Sequence, residues 1–389
     1  MAATRCFSRL ECHLPRRPSR ALQFSKRAFS SSSQAYASVA GAAQAEIDAA
    51  RTYCSNLLQK YDRPSYTLKA FIPHASSDFY LAIRAFNVSL SMVPDVTSAP
   101  TVGLMRLQFW RDAINKTLAG VPPKEPVALL LASALGDLNE RTQGRSSISK
   151  GWLLRLINSR EQYLTNSSYT SLEALEQYAE NTYSTLLYLT LSSLPLASVT
   201  ADHLASHIGK AAGITTVLRG VPFVAFPQQP AQGRLGGDQS RQGAIMLPLD
   251  VMAQLGVREE DVFRRGADAE GLRDAVFTVA TRASDHLITA RQMLKNLKEG
   301  KDVGHEFEHE GEEGHEYSEN QDQVTQTNPY ARQLQEVHRG FGVLMPAVST
   351  SLWLDALQKV DFDIFEPKLR TSPWTLPWKA FRAFQTKTL

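Results

Sequence analysis

The chain has 389 residues, 43% of them hydrophobic, with 42 Lys+Arg against 39 Asp+Glu and a formal net charge of +3. That is enough apolar sequence for a packed core, and so even a balance excludes the electrostatic footprint of a nucleic-acid binder. Cys6, Cys12 and Cys54 follow no metal-ligand spacing and suggest no disulfide framework, as suits a reducing compartment.

The first 40 residues hold seven Arg/Lys and one acid, Glu11, with serines crowding residues 30–33. Basic, serine-rich and acid-poor, residues 1–35 read as a disordered mitochondrial transit peptide cleaved near Phe29 to Ser33, and no apolar run is long enough for a secretory signal. A helix is expected over residues 41–60, with Ile47, Tyr53 and Leu57 on one face. Residues 61–74, with Pro64 and Pro73, read as a loop.

Residues 79–114 predict two helices and a turn. Leu81, Phe86, Leu90 and Val93 recur at helical spacing until Pro94 and the Thr97-Ser98-Ala99-Pro100 run break the pattern. The second helix opens after Pro100 and carries Leu104, Leu107, Trp110 and Ile114 on one side. Further helices are expected over 126–139 and from Trp152, and over 171–196 with a start signal at Ser171. The uncharged run 181–201 is broken by Pro195 and diluted by Ser and Thr, so it reads as a buried helix rather than a membrane span. No other stretch approaches a span.

The helix over 203–222 has Gly209, Ala211, Ala212 and Gly213 in its middle, which predicts close helix approach or a pocket wall. Residues 226–243 read as a polar, disordered insertion, followed by short helices over 249–255 and 259–265 and a long amphipathic one over 272–297. Residues 300–326 are a second insertion. Between Asp302 and Glu319 it holds eight acids, with His305, His309 and His315 interspersed at irregular spacing, so it reads as disordered rather than metal-binding. Helix resumes near Pro329 and runs through Leu357. No strand-length alternation recurs, and the fold class is all-α.

Ala85-Phe86-Asn87 and Arg106-Leu107-Gln108-Phe109-Trp110-Arg111 resemble the AFCRxxDxxxD-like and RLxxW[RK] runs of the squalene/phytoene synthase family. Residues 208–220 resemble its LGxAxQLTNxLRDxxxD run, keeping Gly209, Ala211 and Arg219, and residues 243–248 resemble its GRxYLP without the Arg and Tyr. The resemblance implies an isoprenoid synthase-like helical bundle around a central cavity, one domain over residues 41–389. Members of that family ionise allylic diphosphates on Mg²⁺ ions held by facing pairs of aspartates at i and i+4.

Here the aspartate positions have degenerated. The first pair is Ser91 and Asp95, the second Gly220 and Val224, and no acid occurs from His203 through Gly237. A hydroxyl is a poor ligand for a hard cation, so no metal and no catalytic residue is expected; Mg²⁺ belongs only to an active alternative. Six runs in order, among them Ile83–Val88, Gly103–Trp110, 178–182 and 360–365, resemble a mitochondrial branch of the family that assists assembly of respiratory complex I. That implies a non-catalytic factor at the matrix side of the inner membrane, with complex I subunits or assembly intermediates as partners.

Arg84, Arg106, Arg111, Lys210 and Arg219 are candidates for an anion or lipid pocket, their alternative being ordinary surface charge. Trp374 and Trp378, near Lys379 and Arg382, are either a peripheral membrane contact or helix packing. Two other readings stay open, an active prenyl diphosphate transferase with an altered site and a carrier of a lipid or prenyl ligand.

Overall fold

The computed structural model describes residues 31–97, 99–196, 198–227, 243–301 and 329–389. Among these every regular element is helical. The chain divides into two units between Ala45 and Glu46, and Glu46–Leu389 is compact. The first unit is described only from Ser31, where α1 (Ser31–Tyr61) begins, within the last residues of the expected presequence. Both expected insertions fall mostly outside the described residues.

Residues 61–74 are not a loop. Asp62 caps a short helix, α2 (Arg63–Leu68), its carboxylate accepting from the Ser65 N–H at 3.2 Å, and Pro64 sits in the first turn. Proline there is a helix initiator, because its missing N–H would be unsatisfied anyway. α3 (His74–Ser91) follows, with Leu81, Ile83, Phe86 and Leu90 at 1% exposure or less. It ends before Pro94, which opens the one-turn α4 (Val93–Val96) holding Asp95. α5 (Pro100–Leu118) buries Leu107, Trp110 and Ile114, but the expected fourth member of that face, Leu104, is 43% exposed. α6 (Pro126–Thr142) and α7 (Lys150–Gln162) complete a first core with α3 and α5.

The expected long helix over 171–196 is divided. α8 (Leu172–Ala179) starts on Ser171, whose hydroxyl accepts from the Ala174 N–H. A π-turn over Glu180–Ser184 then leads into α9 (Thr185–Ser192). α10 (Val199–Ala225) is the central rod: it touches α8, the π-turn and α9 on one side. α11 (Leu249–Gln254), α12 (Glu259–Arg265) and α13 (Leu272–Lys298) follow, and α13 packs along α10.

Nor does a single helix run from Pro329 to Leu357. α14 (Pro329–Gly340) gives way to a 3₁₀ turn, Phe341–Leu344, before Pro346 opens α15 (Pro346–Lys359). Gly342 lies in this break, where a Cβ would be 2.0 Å from the Phe71 carbonyl oxygen, so the turn passes close against the α2–α3 connection. α16 (Leu376–Thr386) packs on α15 and α2. Around α10 these elements form the second and larger core.

Among the described residues no single helix is long and apolar enough to cross a membrane. Residues 181–192 are almost wholly buried, as expected of a core segment. α14 with its 3₁₀ turn and α15 pass the span criteria jointly, but they are bent by 54° and buried over most of the turn and α15.

Candidate functional site

A cavity of about 330 Å³ lies where α3 and α7 of the first core meet α10 and α15 of the second. α3 contributes Arg84, Asn87 and Ser91, three and four residues apart, so they share one face. α10 contributes Thr215, Thr216, Arg219 and Gly220 from the opposite wall. α7 adds Arg160, and α15 closes the far side with Thr350 and Trp353. After α15 the chain turns through two left-handed residues, Asp361 (φ 54°) and Phe362 (φ 57°), which brings Ile364 into the wall. The Trp353 indole N–H donates to the Leu369 carbonyl at 3.1 Å and fixes that return.

The polar groups here are held from behind. Arg160 donates to Asn87 Oδ1 at 2.9 Å and to the Tyr178 hydroxyl, and lies 5.4 Å over the Tyr178 ring. Arg84 is 3% exposed and sits 5.4 Å from the Tyr80 ring centroid. Burial pulls the Arg219 guanidinium below its usual range, against the opposing influence of Asp62 and Tyr183. Arg370 stands at the mouth, 5.7 Å over the half-exposed Phe223 ring. Among the described lining residues, four arginines thus stand with a single carboxylate, Asp62, which is already engaged as the α2 cap.

The positions that the family resemblance matches to metal ligands can now be placed. Ser91 and Gly220 both line the cavity, on α3 and α10, so the two blocks do face each other. A Cβ on Gly220 would meet nothing within 4 Å, so the space for a side chain remains while the side chain does not. The Ser91 hydroxyl donates to the Val88 carbonyl at 2.9 Å. Asp95 is exposed on α4, and neither Asp95 nor Val224 lines the cavity. Among the described residues no group of three or more His, Cys, Asp or Glu could hold a metal ion. The donor set therefore does not fit a Mg²⁺ cluster, which needs clustered carboxylates.

Of the arginines and lysine singled out in the sequence, only Arg84 and Arg219 line this cavity. Arg106 is exposed on α5. Arg111 pairs with Glu161 and donates to Asn158 at 2.9 Å, binding α5 to α7. Lys210 belongs with Glu176, whose charge it helps to stabilise. Arg160 and Arg370 lie outside the motif runs, and no sequence signal marked them.

The squalene/phytoene synthase profile matches residues 58–303, which is most of the chain and both walls of the cavity. The chain belongs to the squalene/phytoene synthase family. Its fold agrees. A dehydrosqualene synthase crystallised with a ligand superposes with a TM-score of 0.59 at 13% identity, covering 89% of this chain and 98% of that one. Squalene synthase HpnC from Alicyclobacillus acidocaldarius gives 0.55 at 14%, covering 82% and 97%. Within the family, this chain is 36% identical over 340 residues to the rat (Rattus norvegicus) protein named NADH dehydrogenase (ubiquinone) complex I, assembly factor 6, covering 87% of this chain and 83% of the relative. The human (Homo sapiens) protein of the same name is 33% identical over 325 residues, covering 84% and 79%.

Proposed function

We propose that this chain is a non-catalytic assembly factor for mitochondrial respiratory complex I, working from the matrix side of the inner membrane. The observation that carries the proposal is the 36% identity to a protein named for that role, sustained over 87% of the chain. The geometry supports the non-catalytic half: Ser91 and Gly220 occupy facing walls where the fold's chemistry needs carboxylates. The basic, serine-rich N-terminus supports mitochondrial import.

Knockout of the gene followed by native-gel separation of respiratory complexes tests the role. Mature complex I should fall and return on re-expression of the full chain; a knockout with normal complex I contradicts the proposal. The catalytic alternative has its own assay. Purified protein with prenyl diphosphates and excess Mg²⁺ should release no pyrophosphate. Release that vanishes in Asp95→Ala would reinstate the transferase.

A further inference from the structure

We propose that the arginine-lined cavity binds a phosphate ester directly on guanidinium groups, without a divalent metal. The proposal rests on the non-catalytic reading of this site and specifies what the site now holds.

Arg84 is 3% exposed, its Nε has no hydrogen-bond partner, and it lines the cavity. Thr215, on the opposite wall and also 3% exposed, has an unpartnered Oγ1. The Nε of Arg160, which also lines the cavity, is likewise unpartnered. Buried polar groups of native proteins are nearly always satisfied, and exceptions mark a missing partner. Of the seven such atoms among the described residues, three line this one cavity, with four arginines against Asp62. Buried charge without compensation is costly, and an anion accepting from these donors removes both deficits together.

A phosphate ester matches the set better than a carboxylate. It carries up to two negative charges and three acceptor oxygens, and guanidinium forks bind it bidentately. The volume, about 330 Å³, suits a head group or small soluble ester rather than a whole prenyl chain. Phe223, 57% exposed at the rim, gives an apolar tail a way out if the ester is a lipid. Loss of the carboxylates at Ser91 and Gly220 is then part of the site, because the metal they would hold is replaced by fixed cationic side chains.

The test is titration calorimetry on the purified chain in EDTA, with inorganic pyrophosphate and with dihexanoyl phosphatidic acid below its micellar concentration. At least one should bind saturably, and Mg²⁺ should not tighten binding. Pyrophosphate alone would show that the site takes a soluble, tail-free phosphate group; phosphatidic acid alone would identify a lipid head group. Gly220→Asp places a carboxylate in the open space on α10 and should weaken binding about tenfold or more through charge. Gly220→Asn, of the same shape and neutral, should bind like the wild type. The proposal is overturned if neither probe binds in EDTA, if binding requires Mg²⁺, or if Asn and Asp at 220 act alike. Failure here with complex I still dependent on the protein removes the ligand alone and leaves the assembly role standing.

Discussion

Cys54 is fully buried on α1, and burial pushes its thiol up to about 12. The thiolate is the reactive species, so native Cys54 should resist alkylation. Peptide-level mass spectrometry after iodoacetamide treatment should find it unmodified until denaturant is added; rapid native labelling would show that α1 opens. Glu176 makes a sharper case. Burial opposes its ionisation, but hydrogen bonding to His286 at 2.6 Å, with that ring and Arg282 and Lys210 as charge partners, holds its carboxyl below the usual range. His286 Nδ1 in turn meets His207 Nδ1 at 3.0 Å, so α8, α13 and α10 are joined by one polar chain. A depressed carboxyl pKa contributes stability that is present above the unfolded value and lost as pH falls through the folded one. Glu176→Gln should therefore lower the melting temperature at neutral pH, and the gap to wild type should close in acid. A gap that is constant with pH would mean the residue acts through packing alone.

At the scale of elements, α10 and the π-turn determine the site's shape. A Cβ on Gly209 would lie 2.3 Å from the Ser184 Cα, and one on Gly213 2.5 Å from the Ala179 Cβ. The backbones meet there because no side chain intervenes, and Ser184 Oγ donates to the Ser206 carbonyl at 3.0 Å. Beside it Glu180 is buried, accepting from Tyr188 at 2.6 Å and Ser206 at 2.9 Å. Gly209→Ala should cost about 1–3 kcal/mol by overpacking, read as a lower denaturant midpoint. Gly220→Ala, in open space on the same helix, should be neutral or stabilising by up to about 1 kcal/mol. Equal effects at both positions would contradict the close approach.

The small-residue pattern made this contact legible from sequence, since glycine inside a helix is unfavourable unless something is gained. The division at Glu180–Ser184 was not legible, because an extra residue in a π-turn leaves the apolar pattern of its flanks intact. Pro64 misled in the other direction. A proline two residues after a capping aspartate starts a helix, and only the Asp62 side-chain bond distinguishes that from a loop.

For the whole molecule, the all-α bundle and the facing of α3 and α10 followed from motif order, and the structure places Ser91 and Gly220 on one cavity as that order implies. The cationic lining was only half legible. Arg84 and Arg219 lie within recognisable runs, whereas Arg160 and Arg370 reach the cavity through tertiary packing that no local pattern encodes. Arg111 shows the converse, a motif residue spent on an inter-helix ion pair with Glu161. The tail behaves similarly: Trp374 and Trp378 are 90% and 69% exposed, so helix packing does not account for them.

Under the proposed function the fold is needed and the family's metal chemistry is not. This is tested most directly by complementing a knockout with Asp95→Asn and Gly209→Trp, reading NADH:quinone oxidoreductase activity alongside the abundance of each variant. Asp95→Asn should rescue fully, since one exposed carboxylate off the cavity supports no metal chemistry. Gly209→Trp should fail with reduced abundance, its ring forced into the Ser184 backbone. Loss of rescue by Asp95→Asn at normal protein level would contradict the account.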